Sequence, residues 1–230
     1  MKLNQETVWY WPGIRRSAQE LHALFGVMRD AGFAVEWVGS AYDKGLLPDD
    51  AHSDIQQWVN DPQRAVSKWW VGLSLGAVVA HIAACTAPEG RRPKRLTLIN
   101  PFADRMELSQ HLGFSIADQW RLRPIDFHSP GEILVDLIIS KFDERIPPDH
   151  GHRLKDCYST GDVTLIELDA DHALSQESQQ RLLASLLLSK AEKRAGAEKG
   201  DILHIGICPR SWGDGSPNLA PPRTPARRGA

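Results

Sequence analysis

A serine hydroxyl becomes a nucleophile at neutral pH only when a base takes its proton and a third group holds that base in the right tautomer. One serine is set up for such chemistry: Ser74, at the centre of Gly72-Leu73-Ser74-Leu75-Gly76. Small residues on both sides let a strand and a helix pass close together. A serine at the apex of so tight a turn sits in a strained backbone that pushes its hydroxyl out of the sheet. The backbone N–H of Leu75 then opens a helix, where developing negative charge is favoured, and it is a candidate oxyanion donor.

The base must come from nine histidines. His22 and His81 fall inside helical patterns, and His150 and His152 lie in a polar segment. His111 and His128 sit in an irregular region within reach of a substrate, and His204 is in the C-terminal tail. His172 alone follows a strand directly, in the run Glu167-Leu168-Asp169-Ala170-Asp171-His172, ahead of a helix. It is the expected base. The acid should follow another strand between Ser74 and His172. Asp143 meets that condition, after the apolar run Ile133 to Ile139 and before Ile146-Pro147. Glu144 is its main rival, and Asp136, inside the strand, a weaker one. A second oxyanion donor should come from the loop after the first strand, Trp11-Pro12-Gly13-Ile14, through the N–H of Ile14. Arg15 and Arg16 follow at once, placed either to meet an acidic substrate group or to be solvated.

These residues need a scaffold, and the apolar patterning supplies one. Thr7–Trp11, Phe33–Val38, Lys68–Gly72, Arg95–Asn100, Ile133–Ile139 and Val163–Leu168 read as strands bounded by Gly, Pro and polar residues. Between them, Ser17 caps a helix carrying Leu21, Leu24, Phe25 and Met28, and a second helix is expected over Ser53–Val66, interrupted at Pro62. Further helices are expected over Leu75–Ala87 and from Ser175 to about Ala195, with a polar helix or loop over Asp149–Thr160. One or two amphipathic helices within 101–130, bearing Met106, Leu108, Leu112, Phe114, Trp120 and Leu122, should lie over the sheet. Strands alternating with helices imply an α/β three-layer sandwich with a mostly parallel sheet, whose functional loops gather at the carboxyl ends of the strands. Ser74, Asp143 and His172 each follow a strand.

Composition narrows the class. The chain has 230 residues, 42% apolar and 24% charged, enough for one α/β domain over 1–195. The remainder, 196–230, is rich in Pro, Gly and Arg and is expected to be a solvated tail, with Ile202–Cys208 a candidate short strand and a basic Pro/Arg end that could meet a partner. A net charge of −2 gives no electrostatic case for nucleic acid or an anionic membrane. The three cysteines, Cys85, Cys157 and Cys208, form no metal-ligand spacing and read as thiols of a reducing compartment. No leader pattern and no apolar run of about 18 residues is present, so a cytoplasmic protein is expected.

From about Thr7 to Ala195 the chain resembles the α/β-hydrolase superfamily. The resemblance rests on Pro12-Gly13 where that family usually has His-Gly, on the Gly72–Gly76 elbow, on Phe142-Asp143-Glu144-Arg145-Ile146-Pro147, which is similar to the family's strand–Asp–x–x–(Val/Ile)–Pro acid loop, and on Asp171-His172. The order Ser, Asp, His is the family's own. Three features depart from the pattern. The chain begins close to its oxyanion strand, so the two antiparallel strands that often precede it are not expected, Pro replaces His in the oxyanion loop, and the covering segment of about 102–130 is short, implying a modest cap.

The resemblance implies a serine hydrolase that cleaves a carboxylic ester or thioester through an acyl-enzyme. Ser74 would be the nucleophile, His172 the base, Asp143 the orienting acid, and the N–H groups of Leu75 and Ile14 the oxyanion hole. It implies no metal or organic cofactor, and a small-molecule or carrier-bound acyl substrate as partner. By size the chain is similar to compact thioesterases and methyl-ester esterases. Leu73, Leu75, Met106, Leu112, Phe114 and Trp120 either line an acyl surface or pack on the sheet. An acyltransferase on the same scaffold, a non-catalytic ligand-binding member and a peptidase remain open alternatives, and the sequence does not set the oligomeric state.

Overall fold

The computed structural model describes residues 6–13, 21–38, 55–113, 133–158, 163–193 and 203–204. In chain order these form β1 (Thr7–Trp11), α1 (His22–Asp30), β2 (Ala34–Trp37), α2 (55–60), β3 (Trp69–Leu73), α3 (Leu75–Thr86), β4 (Arg95–Ile99), α4 (Arg105–Leu112), β5 (Leu134–Ser140), α5 (Asp149–Cys157), β6 (Val163–Leu168), α6 (Glu177–Lys193) and β7 (Leu203–His204). The strands form one sheet in the order β2-β1-β3-β4-β5-β6-β7. Every pairing in it is parallel.

Successive side chains on a strand point to opposite faces, and here both faces are covered. Trp9, Trp11, Trp70, Leu96, Leu98, Leu137 and Leu165 point to one face and pack with α3, Leu108 of α4 and Leu154 of α5. Val8, Tyr10, Trp69, Val71, Ile99, Ile138 and Ile166 point to the other, beneath Leu24, Phe25 and Met28 of α1 and Leu183, Ala184 and Leu187 of α6. That two-sided burial is why the strands read as continuous apolar runs rather than alternating ones. It yields the αβα sandwich expected from the sequence. On the first face the Trp9 and Trp70 rings stack with centroids 5.4 Å apart.

The helix α3 runs beneath the sheet along its length. Ala77, Ala80, Ala83 and Ala84 are fully buried, and these small side chains let the helix axis approach β3 closely. The approach is closest at the two glycines of the elbow. A Cβ on Gly72 would lie 2.5 Å from the Cα of Ala77 and 2.6 Å from the carbonyl oxygen of Gly76. A Cβ on Gly76 would overlap the carbonyl oxygens of Trp11 and Pro12. Backbone cannot move aside as a flexible side chain can. Gly76→Ala should therefore destabilise the fold by about 3 kcal/mol or more, the upper end of overpacking costs. A urea titration of the variant checks this, and a midpoint equal to the wild type's would show that the β1 loop yields.

Several boundaries differ from the sequence reading, each for a local reason. The helix expected over Ser53–Val66 is helical only over 55–60 among its described residues. Pro62 lacks an N–H and ends it, and 62–63 form a turn held by the Asp61 carboxylate, which accepts from the Gln63 N–H at 2.9 Å. The last helix begins at Glu177 rather than Ser175, and the Asp171 side chain accepts from the Ser175 N–H at 2.9 Å in the turn that precedes it. The strand expected to end at Asn100 ends at Ile99, and Asn100 turns the chain with φ 48. Asp149–Thr160 is a helix through Cys157. In the covering segment α4 is present, capped by the Asp104 carboxylate, which accepts from the N–H of Met106 at 2.7 Å, and ended by Gly113 at φ 70. Residues 114–130 of the expected cap, with Phe114, Trp120, Leu122 and His128, lie outside the described residues, as does most of the tail. Of Ile202–Cys208, Leu203–His204 is a strand paired with β6. Among the described residues no helix is long and apolar enough to cross a membrane.

Candidate active site

The elbow is built as its sequence demands. Ser74 stands between β3 and α3 with φ 56 and ψ −122, a region that non-glycine residues avoid and that costs on the order of 1–3 kcal/mol. The surroundings hold it there. Its N–H donates to the carbonyl of Ile99 at 2.8 Å, and its carbonyl accepts from Ala77 at 3.0 Å, starting the helix. Ser74 is partly exposed, whereas Leu73 and Leu75 on either side are buried. Leu75 is the first residue of α3, so its N–H belongs to the helix turn that has no acceptors of its own. Trp11 and Pro12 press their carbonyls against Gly76, which brings the loop after β1 to the elbow. Ile14, with Arg15 and Arg16, lies outside the described residues.

Two strands away the other candidates meet. Beyond β5, the chain turns at 141–146, and the Asp143 carboxylate shapes that turn: Oδ1 accepts from the N–H of Arg145 at 2.8 Å and of Ile146 at 2.7 Å. Its second oxygen, Oδ2, accepts from Nδ1 of His172 at 2.7 Å. Both side chains are almost wholly buried, at 1% and 4% exposure, which strengthens the bond and shields it from water. A carboxylate only accepts, so Nδ1 carries the proton and Nε2 is left free to take one. His172 stands in the loop after β6, where Ala170 and Phe142 join the two loops through a backbone hydrogen bond of 3.0 Å. The carboxyl ends of β3, β4, β5 and β6 are neighbours, so Ser74, Asp143 and His172 share one edge of the sheet.

The rivals are placed elsewhere. Glu144 is well exposed and 3.6 Å from Arg145. Asp136 is fully buried within β5 and accepts from Nε of Arg95 at 2.7 Å, on the neighbouring strand β4. It is therefore half of a structural ion pair rather than an acid for the site. His22 is exposed beside Glu177, His152 is exposed beside Glu167, and His81 is buried inside α3 with Nδ1 2.8 Å from the hydroxyl of Tyr158. Of the apolar candidates on α4, Leu108 is buried, Leu112 packs against the core, and Met106 is 55% exposed.

Two buried polar residues escaped the sequence reading. His150 sits in a polar stretch yet is fully buried, and its Nδ1 accepts from the N–H of Ala103 at 3.2 Å. Burial, and then the neighbouring Arg153 guanidinium, push its pKa below the ordinary histidine value. Asn100, 3% exposed, joins the ends of β4 and β5 to the His172 loop, donating from Nδ2 to the carbonyl of His172 at 2.9 Å. The one local signal for it is an Asn-Pro pair ending an apolar strand, which marks a turn but not a network.

No protein-family model matches the sequence, and no curated protein does. Solved structures match its fold. The esterase domain of a Rhodothermus marinus protein is 14% identical over 83% of this chain and 88% of its own, with a TM-score of 0.64. The mouse alpha/beta hydrolase domain-containing protein 10 is 17% identical over 84% of this chain and 92% of its own, with a TM-score of 0.63. The enol-lactonase from Burkholderia xenovorans LB400 is 12% identical over 82% of this chain and 92% of its own, with a TM-score of 0.61. Identities this low carry the fold alone.

Proposed function

We propose, from the α/β-hydrolase fold that the chain shares with these proteins, that it is a serine hydrolase cleaving a carboxylic ester or thioester. The observation that carries the reading is the pairing of a left-handed, partly exposed Ser74 with a buried His172–Asp143 hydrogen bond on the same edge of the sheet. Nε2 of His172 takes the Ser74 hydroxyl proton as Oγ attacks the acyl carbon. The oxyanion is held by the Leu75 N–H, with a second donor from the loop after β1. The imidazolium, stabilised by Asp143, then gives its proton to the departing alcohol or thiol. Water, deprotonated by the same nitrogen, attacks the acyl-enzyme and releases the acid and free Ser74. No cofactor enters this sequence. The substrate is a small or carrier-bound acyl compound; Leu73 and Leu75 beside the nucleophile are buried in the cores on opposite faces of the sheet and pack there rather than line an acyl surface.

The test is a fluorophosphonate probe followed by peptide mapping, alongside hydrolysis of p-nitrophenyl esters and acyl-CoA thioesters of graded length. The label is expected on Ser74, with release of free acid from at least one series. Folded protein that takes no label, or takes it on another residue, overturns the reading. Transfer of the acyl group to an added alcohol or amine in preference to water would identify an acyltransferase instead.

A further inference from the structure

The bond between His172 and Asp143 joins two side chains on separate loops, and a bond between loops is only as well aligned as the main chain beneath it. Asp143 leaves β5 three residues after Ser140, and its N–H donates to the Ser140 carbonyl at 3.2 Å. His172 leaves β6 in a loop that includes Leu174 at φ 52. One side chain touches the base of both loops. Asn100 Oδ1 accepts from the Ser140 N–H at 2.8 Å, and its Nδ2 donates to Ser140 Oγ at 2.9 Å and to the His172 carbonyl at 2.9 Å. All three side-chain bonds are buried. The orientation of the amide is fixed chemically, because the Ser140 N–H requires an acceptor and the His172 carbonyl a donor.

The backbone of Asn100 completes the clamp. Its φ of 48 turns the chain out of β4, a conformation that Asn tolerates better than most residues, and its N–H donates to Ile138 at 2.9 Å. The preceding residue, Ile99, accepts from the N–H of Ser74 at 2.8 Å. Two consecutive residues thus fasten the nucleophile's turn on one side and the acid and base loops on the other.

We propose that Asn100 is a positioning residue, which holds the His172 main chain and the start of the Asp143 turn in the register that aligns Nδ1 with Oδ2. Its effect on rate rests on the hydrolase reading above, while its effect on the His172–Asp143 bond does not. Asn100→Gly tests it, since glycine keeps the left-handed backbone and removes only the amide. In this variant kcat on the esters should fall on the order of 100-fold with KM little changed, the size of loss that a misplacement of about 1 Å produces. The low-field proton resonance of the His172 Nδ1–H should broaden or disappear.

A second variant guards against a folding defect. Asn100→Asp keeps an acceptor for the Ser140 N–H but offers no donor to His172, and it should lose the same resonance. The proposal is overturned if folded Asn100→Gly or Asn100→Asp shows the wild-type low-field proton, or if kcat falls only with the fraction folded. If wild type cleaves no ester at all, the hydrolase reading fails, and the low-field proton alone decides the role of Asn100.

Discussion

Ser74→Ala should lower kcat for ester cleavage on the order of 10⁶-fold and abolish fluorophosphonate labelling, while leaving the fold intact. Loss of a triad nucleophile elsewhere costs about that factor, with residual catalysis coming from the oxyanion donors and from binding. The fold survives because what fixes the elbow is main chain: the Ser74 N–H to Ile99, the Ser74 carbonyl to Ala77, and the close passes at Gly72 and Gly76. A companion change separates chemistry from strain. Ser74→Gly is equally inactive but places at φ 56 and ψ −122 the one residue that suits that conformation. It should raise the midpoint of unfolding above that of Ser74→Ala, because the strain relieved is on the order of 1–3 kcal/mol. Activity retained by either variant removes Ser74 from the mechanism. A Ser74→Gly midpoint below that of Ser74→Ala would show that the elbow stores no strain.

Asp143→Asn should cost about 10⁴-fold in kcat with little loss of stability, and the structure says why so small a change is so damaging. Two backbone N–H groups, from Arg145 and Ile146, point at Oδ1 of residue 143. They demand an oxygen, so an asparagine amide must turn its nitrogen toward His172. Facing an N–H donor, Nδ1 becomes the acceptor and the ring proton moves to Nε2, where it blocks uptake of the Ser74 proton. A 10⁴-fold loss corresponds to about 5.5 kcal/mol of transition-state stabilisation. The turn itself is preserved, since both of its hydrogen bonds survive. Steady-state kinetics of the folded variant check this. Activity within tenfold of wild type would mean that Asp143 does not orient the base.

Local chemistry made much of this legible in the sequence. Gly72 and Gly76 announce a close strand–helix approach with Ser74 at its apex. Val163–Leu168 is an apolar run between polar neighbours, and the strand has those bounds at both ends. Asp143 could be preferred to Asp136 by position alone, since an acid at a strand's end faces the loops and one inside it faces a neighbouring strand. What escaped depended on partners distant in sequence. The Arg95 that neutralises Asp136 stands 41 residues away on the next strand, and no local pattern joins them. His150 is flanked by Asp149, His152 and Arg153 and so reads as surface, until the N–H of Ala103 claims its ring. Asn100 reads as the last residue of a strand because its role lies in what its amide reaches.

The order of the strands has a consequence in time as well as in space. With every neighbouring pair parallel, no two strands can pair through a tight hairpin, and each ladder must wait for a crossover to close. Such sheets gain few contacts early and fold slowly compared with helical proteins of similar stability. The residues that meet at the carboxyl edge come from β3, β4, β5 and β6, spread over about a hundred positions of the chain. A partly assembled sheet therefore holds Ser74 before the His172–Asp143 pair exists, and the carboxyl edge is complete only when the last of these strands has docked.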